Sequence, residues 1–328
     1  MAEYTAYFNG EWVPFGEVKI SPLDRGFEVG DVVFDVARTF NGKSFRMKEH
    51  LDRLYRSLKY VRLDPGLSKE EFSDISEEAL ERNEPLREEV GDYTVRQFVT
   101  RGPGAWTHDA GPPAVCVMVT PISFKRFASH YNDGAPSVIA RTRSFSTESL
   151  DPKVKHYSRM NFNLAELEAH DVDPNAWPIL TDIDGNLTEG TGYNMFLVTD
   201  GVIRTPGDRS ILQGVSRGMV FDLADQLNMP IVEEDLQPYD LYTADEAFFS
   251  GTSPCVLPVT SADKRDIGDG NPGPITQQLL AAWSERVGID IVGQAGHSSD
   301  PSLGHSAMEA MHAVIGDLLQ LRSDWQKR

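Results

Sequence analysis

Asn41-Gly42 stands between two strand-like stretches, Val32–Phe40 and Ser44–Met47, and Asn-Gly is the strongest short signal for a two-residue hairpin turn. Asn9-Gly10 repeats the arrangement between Ala6–Phe8 and Glu11–Val13. Two such turns close together commit the amino-terminal part to antiparallel strands, because parallel neighbours need a long crossover. Helices must then be added to this sheet. His50–Val61 places Leu51, Leu54, Leu58 and Val61 on one helical face, and Ser68-Lys69-Glu70-Glu71 is a capping-box pattern that opens another helix. Tyr93–Thr100 and Ala114–Thr120 read as strands joined by the Gly- and Pro-rich loop Arg101–Pro113.

The second half starts afresh. Phe124–Gly134 is polar and without a clear period, so it reads as a connection. Strands are expected at Ser137–Arg143, Trp177–Thr181, Asn194–Thr199, Val202–Thr205, Glu246–Ser250 and Cys255–Val259. Helices are expected at Met160–His170, with Phe162, Leu164, Ala165 and Leu167 as apolar candidates, and at Ser216–Leu227 and Thr276–Val287. Ser306–Gln326 reads as a final helix with a rough apolar stripe. The expected fold class is α+β, with a small amino-terminal α/β domain over 1–122, a linker over 123–133 and a larger domain over 134–328 that ends in a helical extension.

Composition narrows the function classes. The 328 residues carry a formal charge of −19, so a phosphate polymer would be repelled and nucleic-acid binding is not expected. Cys116 and Cys255 both sit in apolar runs and read as core residues rather than a disulfide or metal pair. The amino terminus has no signal-peptide pattern and no apolar run is long enough for a membrane span, so a cytoplasmic protein is expected.

The chemistry concentrates in a few segments. Asn186–Asn194 reads N-L-T-E-G-T-G-Y-N and surrounds one acid, Glu189, with Gly and small hydroxyl residues after an Asp184-Gly185 turn. Such an acid can approach a flat ligand edge-on. Leu212-Gln213-Gly214-Val215-Ser216 runs into a predicted helix start, where free backbone N–H groups and the Ser hydroxyl suit an anion; a plain helix cap is the competing reading. Ser250-Gly251-Thr252-Ser253 closes a predicted strand and suits a phosphate or carboxylate, or a simple turn. Arg53, in a helical H-L-D-R-L run, could pair a phosphate. Lys153 and Lys155 lie two apart on an extended segment, so only one can point inward.

The order of these motifs resembles the class IV, or fold type IV, pyridoxal-phosphate aminotransferases. L-D-R-G-F-x-x-G-D-x-V-F-D within Ser21–Leu58 is similar to D-amino-acid transaminases, while L-T-E-G-T-G-Y-N and L-Q-G-V-S-R are similar to R-selective amine transaminases. The resemblance implies a two-domain fold with a β-barrel-like core in the larger domain. It implies pyridoxal 5'-phosphate as cofactor, no metal, and a homodimer with the site at the subunit interface. It makes Lys155 the Schiff-base lysine and Glu189 the partner of the pyridine nitrogen. Arg53, Val215, Ser216 and Thr252 are the implied phosphate contacts. Leu212 would pack on the ring, and Asn194 would join the cofactor site. Arg159 stands where some relatives hold the ring hydroxyl. The implied substrate pocket comprises Phe34, Val36, Arg38, Arg96, Trp106, His108 and Ser253.

The implied activity is transfer of an amino group from an amine or amino acid to a keto acid, pyruvate or 2-oxoglutarate. An R-amine or D-amino-acid donor is preferred. Hydrophobic or branched-chain L-amino acids are the alternative, and pyruvate elimination of the aminodeoxychorismate lyase type ranks below both. D-amino-acid transaminases hold the substrate carboxylate with an Arg and a His two apart, whereas Trp106 and His108 occupy those places here. Arg38 or Arg96 is expected to substitute.

Overall fold

The computed structural model describes residues 3–292. The first half contains β1 (Thr5–Phe8), β2 (Glu11–Pro14), α1 (Arg25–Val29), β3 (Val32–Phe40), β4 (Lys43–Phe45), α2 (Met47–Tyr60), α3 (Lys69–Asn83), α4 (Arg87–Val90), β5 (Tyr93–Thr100) and β6 (Val115–Pro121). Its strands form one antiparallel sheet in the order β2-β1-β6-β5-β3-β4. Both Asn-Gly turns close hairpins. Asn9, Gly10, Asn41 and Gly42 all take positive φ, as a two-residue turn matched to strand twist requires.

Residues of β3 alternate between two surroundings. Val33 and Ala37 join Leu51, Leu54 and Leu58 of α2 in the core of this half, while Val32 and Phe34 join a separate cluster with Phe98 and Cys116. Each buried leucine of α2 contributes about 2 kcal/mol of apolar transfer. Ser68 and Glu71 close the capping box that opens α3.

The second half contains α5 (His130–Asp133), β7 (Ala135–Ile139), α6 (Met160–Val172), β8 (Trp177–Ile179), β9 (Asn194–Thr199), β10 (Val202–Pro206), α7 (Val215–Gln226), β11 (Ile231–Glu234), α8 (Pro238–Tyr242), β12 (Glu246–Gly251), β13 (Cys255–Ala262), β14 (Arg265–Asp266) and α9 (Pro274–Val287). The sheet order is β11-β10-β9-β12-β13-β7-β8, with β14 paired to β13. α7 and α9 pack Met219, Val220, Leu223, Leu279 and Trp283 into the larger core. The two sheets with their helices make a two-domain α+β molecule. No helix among the described residues is long and apolar enough to cross a membrane.

Several expectations change. Phe124–Gly134 is more than a connection: it forms a 3-10 turn and α5, and buries Phe124, Phe127 and Tyr131 in the larger core. On α6 only Ala165 and Ala169 are buried, while Leu164 and Leu167 are exposed, because small residues let this helix lie close to the sheet. Ser44–Met47 is split between β4 and the first residue of α2. The strand expected at Ser137–Arg143 starts and ends earlier, at Ala135–Ile139. The helix expected at Ser306–Gln326 lies outside the described residues. Cys116 and Cys255 are buried free thiols, as expected.

Candidate active site

The cleft between the two sheets is lined by Arg53, Lys155, Arg159, Phe162, Glu189, Asn194, Leu212, Gly214, Val215, Ser216, Ser250 and Thr252, among others. Five segments distant in sequence meet there.

Lys155 is held against the small sheet. β4 pairs only with Arg38–Phe40, which leaves the start of β3 open along that edge. Residues 155–157 take this edge: Phe34 N donates to Lys155 O at 3.0 Å and Tyr157 N to Val32 O at 3.1 Å. Lys155 N also donates to Ser57 Oγ at 3.2 Å. Lys153 pairs with Asp151 instead, so the inward lysine is Lys155. Its Nζ sits 4.8 Å from the Phe34 ring centroid. Desolvation lowers its pKa well below the ordinary lysine value, and Arg159 and Arg53 push the same way.

Glu189 is buried across the cleft. Asn194 Nδ2 donates to its Oε2 at 3.0 Å and Leu212 N to its Oε1 at 3.1 Å. These two donors fix the carboxylate's orientation. Burial raises its pKa to about 7, despite the hydrogen bond from Leu212 and the positive charges of Arg159, Lys155 and Arg53. Gly190 lets the chain turn immediately after it; a Cβ there would collide with the Tyr193 ring.

The anion end is built from three elements. Arg53 of α2 donates Nε and Nη2 to Asp35 at 2.8 Å each and Nη1 to Gln213 O at 3.1 Å. His50 Nδ1 lies 2.7 Å from the same Asp35 carboxylate. Burial alone would raise the Asp35 pKa, but Arg53 and then His50 overcome it and hold the carboxyl well below its usual range. Gly214 caps α7 with no side-chain bond, which leaves the helix's first N–H groups and Ser216 facing the cleft. Thr252 faces it from the β12–β13 turn, its Oγ1 donating to Val36 O at 3.3 Å.

Three observations fit a phosphorylated pyridine ring to this cleft. Glu189 forms no ion pair among the described residues, so its buried carboxylate stands ready for a cationic ring nitrogen. Ser250 Oγ, 1% exposed, has no hydrogen-bond partner among the described atoms. The uncapped α7 terminus and Arg53 supply donors to an anion at the other end.

The expected substrate residues divide. Phe34 lies beside Lys155, and its ring is 4.3 Å from that of Tyr157. Arg96, opposite Val36 on β5, interacts with Tyr157, and its buried Nε has no partner among the described atoms. Arg38 does not face the cleft: it is 2% exposed and donates to Thr39 O at 3.0 Å and Ser253 O at 2.7 Å. It shares a face of β3 with Phe34 and Val36, but four residues further along than Phe34 its guanidinium meets the β12–β13 turn instead of the cleft. Trp106 is 65% exposed and His108 is exposed beside it, and neither lines this chain's cleft. Ser253 lies within the β12–β13 turn next to Thr252, with its carbonyl taken by Arg38.

Sequence reasoning missed Asp35 and Phe162 as site residues. Asp35 had one readable signal, an acid alone within the apolar strand Val32–Phe40. Arg159, left open in the sequence, bonds His156 O at 2.8 Å and Thr191 O at 3.0 Å on the cleft wall.

Comparisons with known proteins agree with this geometry. The family described as Amino-transferase class IV matches residues 32–262. A Methanocaldococcus jannaschii protein named for branched-chain-amino-acid aminotransferase activity is 36% identical over 283 residues, 85% of this chain and 95% of its own. A D-alanine aminotransferase of Staphylococcus aureus is 32% identical over 284 residues, 86% of this chain and 97% of its own. Among solved structures, the Escherichia coli branched-chain amino acid aminotransferase superposes with a TM-score of 0.81 at 26% identity, covering 87% of this chain and 94% of its own. The branched-chain amino acid aminotransferase of T.th., solved with pyridoxamine 5'-phosphate, gives 0.80 at 28%, covering 88% and 95%. The chain therefore belongs to the class IV aminotransferases, enzymes that use pyridoxal 5'-phosphate to move amino groups.

Proposed function

We propose that this transaminase takes hydrophobic L-amino acids of the branched-chain kind and passes their amino group to 2-oxoglutarate. The observation that carries the reading is the aromatic wall beside the Lys155 amine, formed by Phe34 and Tyr157 and backed by Arg96. An aliphatic side chain gains by burial against such a wall, and Arg96 offers a cation to a carboxylate. The branched-chain enzymes among the similar structures support the same donor class. This reverses the order of the sequence expectation. A D-amino-acid or R-amine donor with pyruvate is the second reading, favoured by the identity to D-alanine aminotransferase.

Each residue then has a physical role. Bound pyridoxal phosphate supplies the carbonyl carbon that receives the amino group and a ring that withdraws electrons. Lys155 is the nucleophile and general base; burial lowers its pKa, which favours the free amine that takes and returns the substrate α-proton. Glu189, oriented by Asn194, would pair with the ring nitrogen and keep it protonated. Arg53, Val215, Ser216 and Thr252, which line the cleft, would hold the phosphate, and Leu212 would pack on the ring.

We also infer a homodimer with the cleft at the subunit interface. Leu23, Phe27, Trp106, Met160 and Leu167 are all more than 60% exposed, and such apolar exposure suits a partner surface. In that assembly Trp106 and His108 serve the other copy's cleft.

The test is a donor screen with L-leucine, L-valine, D-alanine and both enantiomers of 1-phenylethylamine, each with 2-oxoglutarate and with pyruvate. L-Leucine with 2-oxoglutarate is expected to be fastest. A D-alanine or (R)-1-phenylethylamine rate about tenfold higher would replace this reading with the second.

A further inference from the structure

We propose that Arg38 is a positioning residue that sets the Thr252–Pro254 turn from behind, and so fixes where Thr252 meets the cofactor phosphate. The inference rests on the reading above that Thr252 is a phosphate contact.

The turn needs outside support. Gly251 pairs with Cys255, leaving Thr252, Ser253 and Pro254 as a three-residue hairpin loop. Such loops commonly end on a left-handed residue, where Gly is favoured because a Cβ is strained. Here the residue is Cys255, at φ 61°. The chain thus lacks the glycine that would let this loop hold its shape unaided.

Strand β3 and α5 supply the missing restraint. Arg38 Nη1 donates to Ser253 O at 2.7 Å and lies 3.4 Å from Cys255 Sγ. Its Nε donates to Thr39 O at 3.0 Å, and its guanidinium stacks 3.9 Å from the Phe40 ring centroid. Tyr131 Oη donates to Pro254 O at 2.7 Å. Thr252 is tied to the same strand two residues earlier, through Val36 O. The turn is therefore gripped at Thr252, Ser253, Pro254 and Cys255, three of the four from β3.

The planar fork matters as well as the charge. Arginine can bond the Ser253 and Thr39 carbonyls in different directions while stacking flat on Phe40. A lysine ammonium can supply one point of charge but no stacking plane. Loss of the fork leaves the Ser253 carbonyl short of a donor and lets the strained Cys255 relax, which shifts Thr252.

The test compares full-length variants in binding pyridoxal 5'-phosphate and phosphate-free pyridoxal, read by absorbance and by borohydride trapping of the lysine adduct. Arg38→Met is expected to weaken pyridoxal 5'-phosphate about tenfold, the scale of one charge-assisted hydrogen bond, with pyridoxal changed less than about twofold. Arg38→Lys should fall between. Thr252→Val should show the same phosphate-selective loss, and Arg38→Met in that background should add nothing further. Equal losses for both ligands, or additive losses in the double variant, overturn the proposal while the reading of Thr252 stands. A Thr252→Val variant that binds both ligands like the native protein overturns that reading and the proposal with it. If Arg38→Met does not fold, Arg38→Lys and Tyr131→Phe carry the same comparison, with a smaller phosphate-selective loss expected and its absence overturning the proposal.

Discussion

Asp35 of β3 accepts two hydrogen bonds from Arg53 of α2, from Nε and Nη2 at 2.8 Å each, and so aims the guanidinium's remaining edge at Gln213 and the cleft. The pair is buried, and the carboxylate also meets His50 and the Val36 N–H. Asp35→Asn keeps the shape and removes the charge. It is expected to cost about 3–5 kcal/mol of stability, because an unpaired guanidinium stays buried. Urea unfolding measures that loss, and absorbance titration should show weaker binding of pyridoxal 5'-phosphate. Native-like stability and affinity together would show that Arg53 needs no such anchor.

Glu189 gives a pH signature in the cofactor-free protein. Burial raises its pKa from 4.5 to about 7. Between those values the folded state keeps a proton that the unfolded chain has released, so this contribution is full below 4.5 and is lost as pH rises through 7. Glu189→Gln carries no such proton. The variant should gain on the native protein by about 3 kcal/mol between pH 5 and 8, measured by urea unfolding across that range. A constant difference would mean the acid is not raised.

Lys155→Ala should abolish the borohydride-trapped adduct and lower turnover by at least about 10⁴-fold. Mass spectrometry after reduction and a transamination assay read the two effects. In the native protein the depressed lysine pKa places the acid limb of the cofactor-free amine's titration well below 10.5. Reaction of that amine with a small acylating reagent, followed against pH, locates it.

Gly190→Ala tests how tightly the acid's turn is packed. The added methyl would meet the Tyr193 ring, itself buried and bonded to Pro178 O at 2.7 Å. A stability loss of about 1–3 kcal/mol is expected in thermal unfolding, together with weaker cofactor binding as Glu189 shifts. An unchanged melting temperature would show that the ring gives way freely.

Much of this site was legible because its residues sit where local chemistry announces them. Glu189 follows an Asp-Gly turn, and Ser216 opens a helix behind a glycine. Arg38 and Asp35 were not legible in the same way. Both lie in one strand, and beyond the adjacent Val36 and Thr39 the polar partners that place them at the site are 15 to 217 residues away, so no local pattern marks those bonds. The spacing of Phe124, Phe127 and Tyr131 did carry a helical hint, hidden by the polar residues between them. β11 escaped because Ile231–Glu234 is a short strand at the end of its sheet, half acidic, with no alternation to find. The leucines of α6 misled because a helix against a sheet can bury its alanines and leave larger side chains outside.

Lys155 belongs to the larger half by chain and to the smaller sheet by its hydrogen bonds to β3. The reactive amine is therefore mounted on the joint itself. Any strain that parts the two halves must also peel residues 155–157 from that open edge, drawing Nζ away from Glu189 and Arg53. Chemistry and seating of the halves become one event, so the colour of the loaded enzyme can serve as a gauge of whether the molecule is closed.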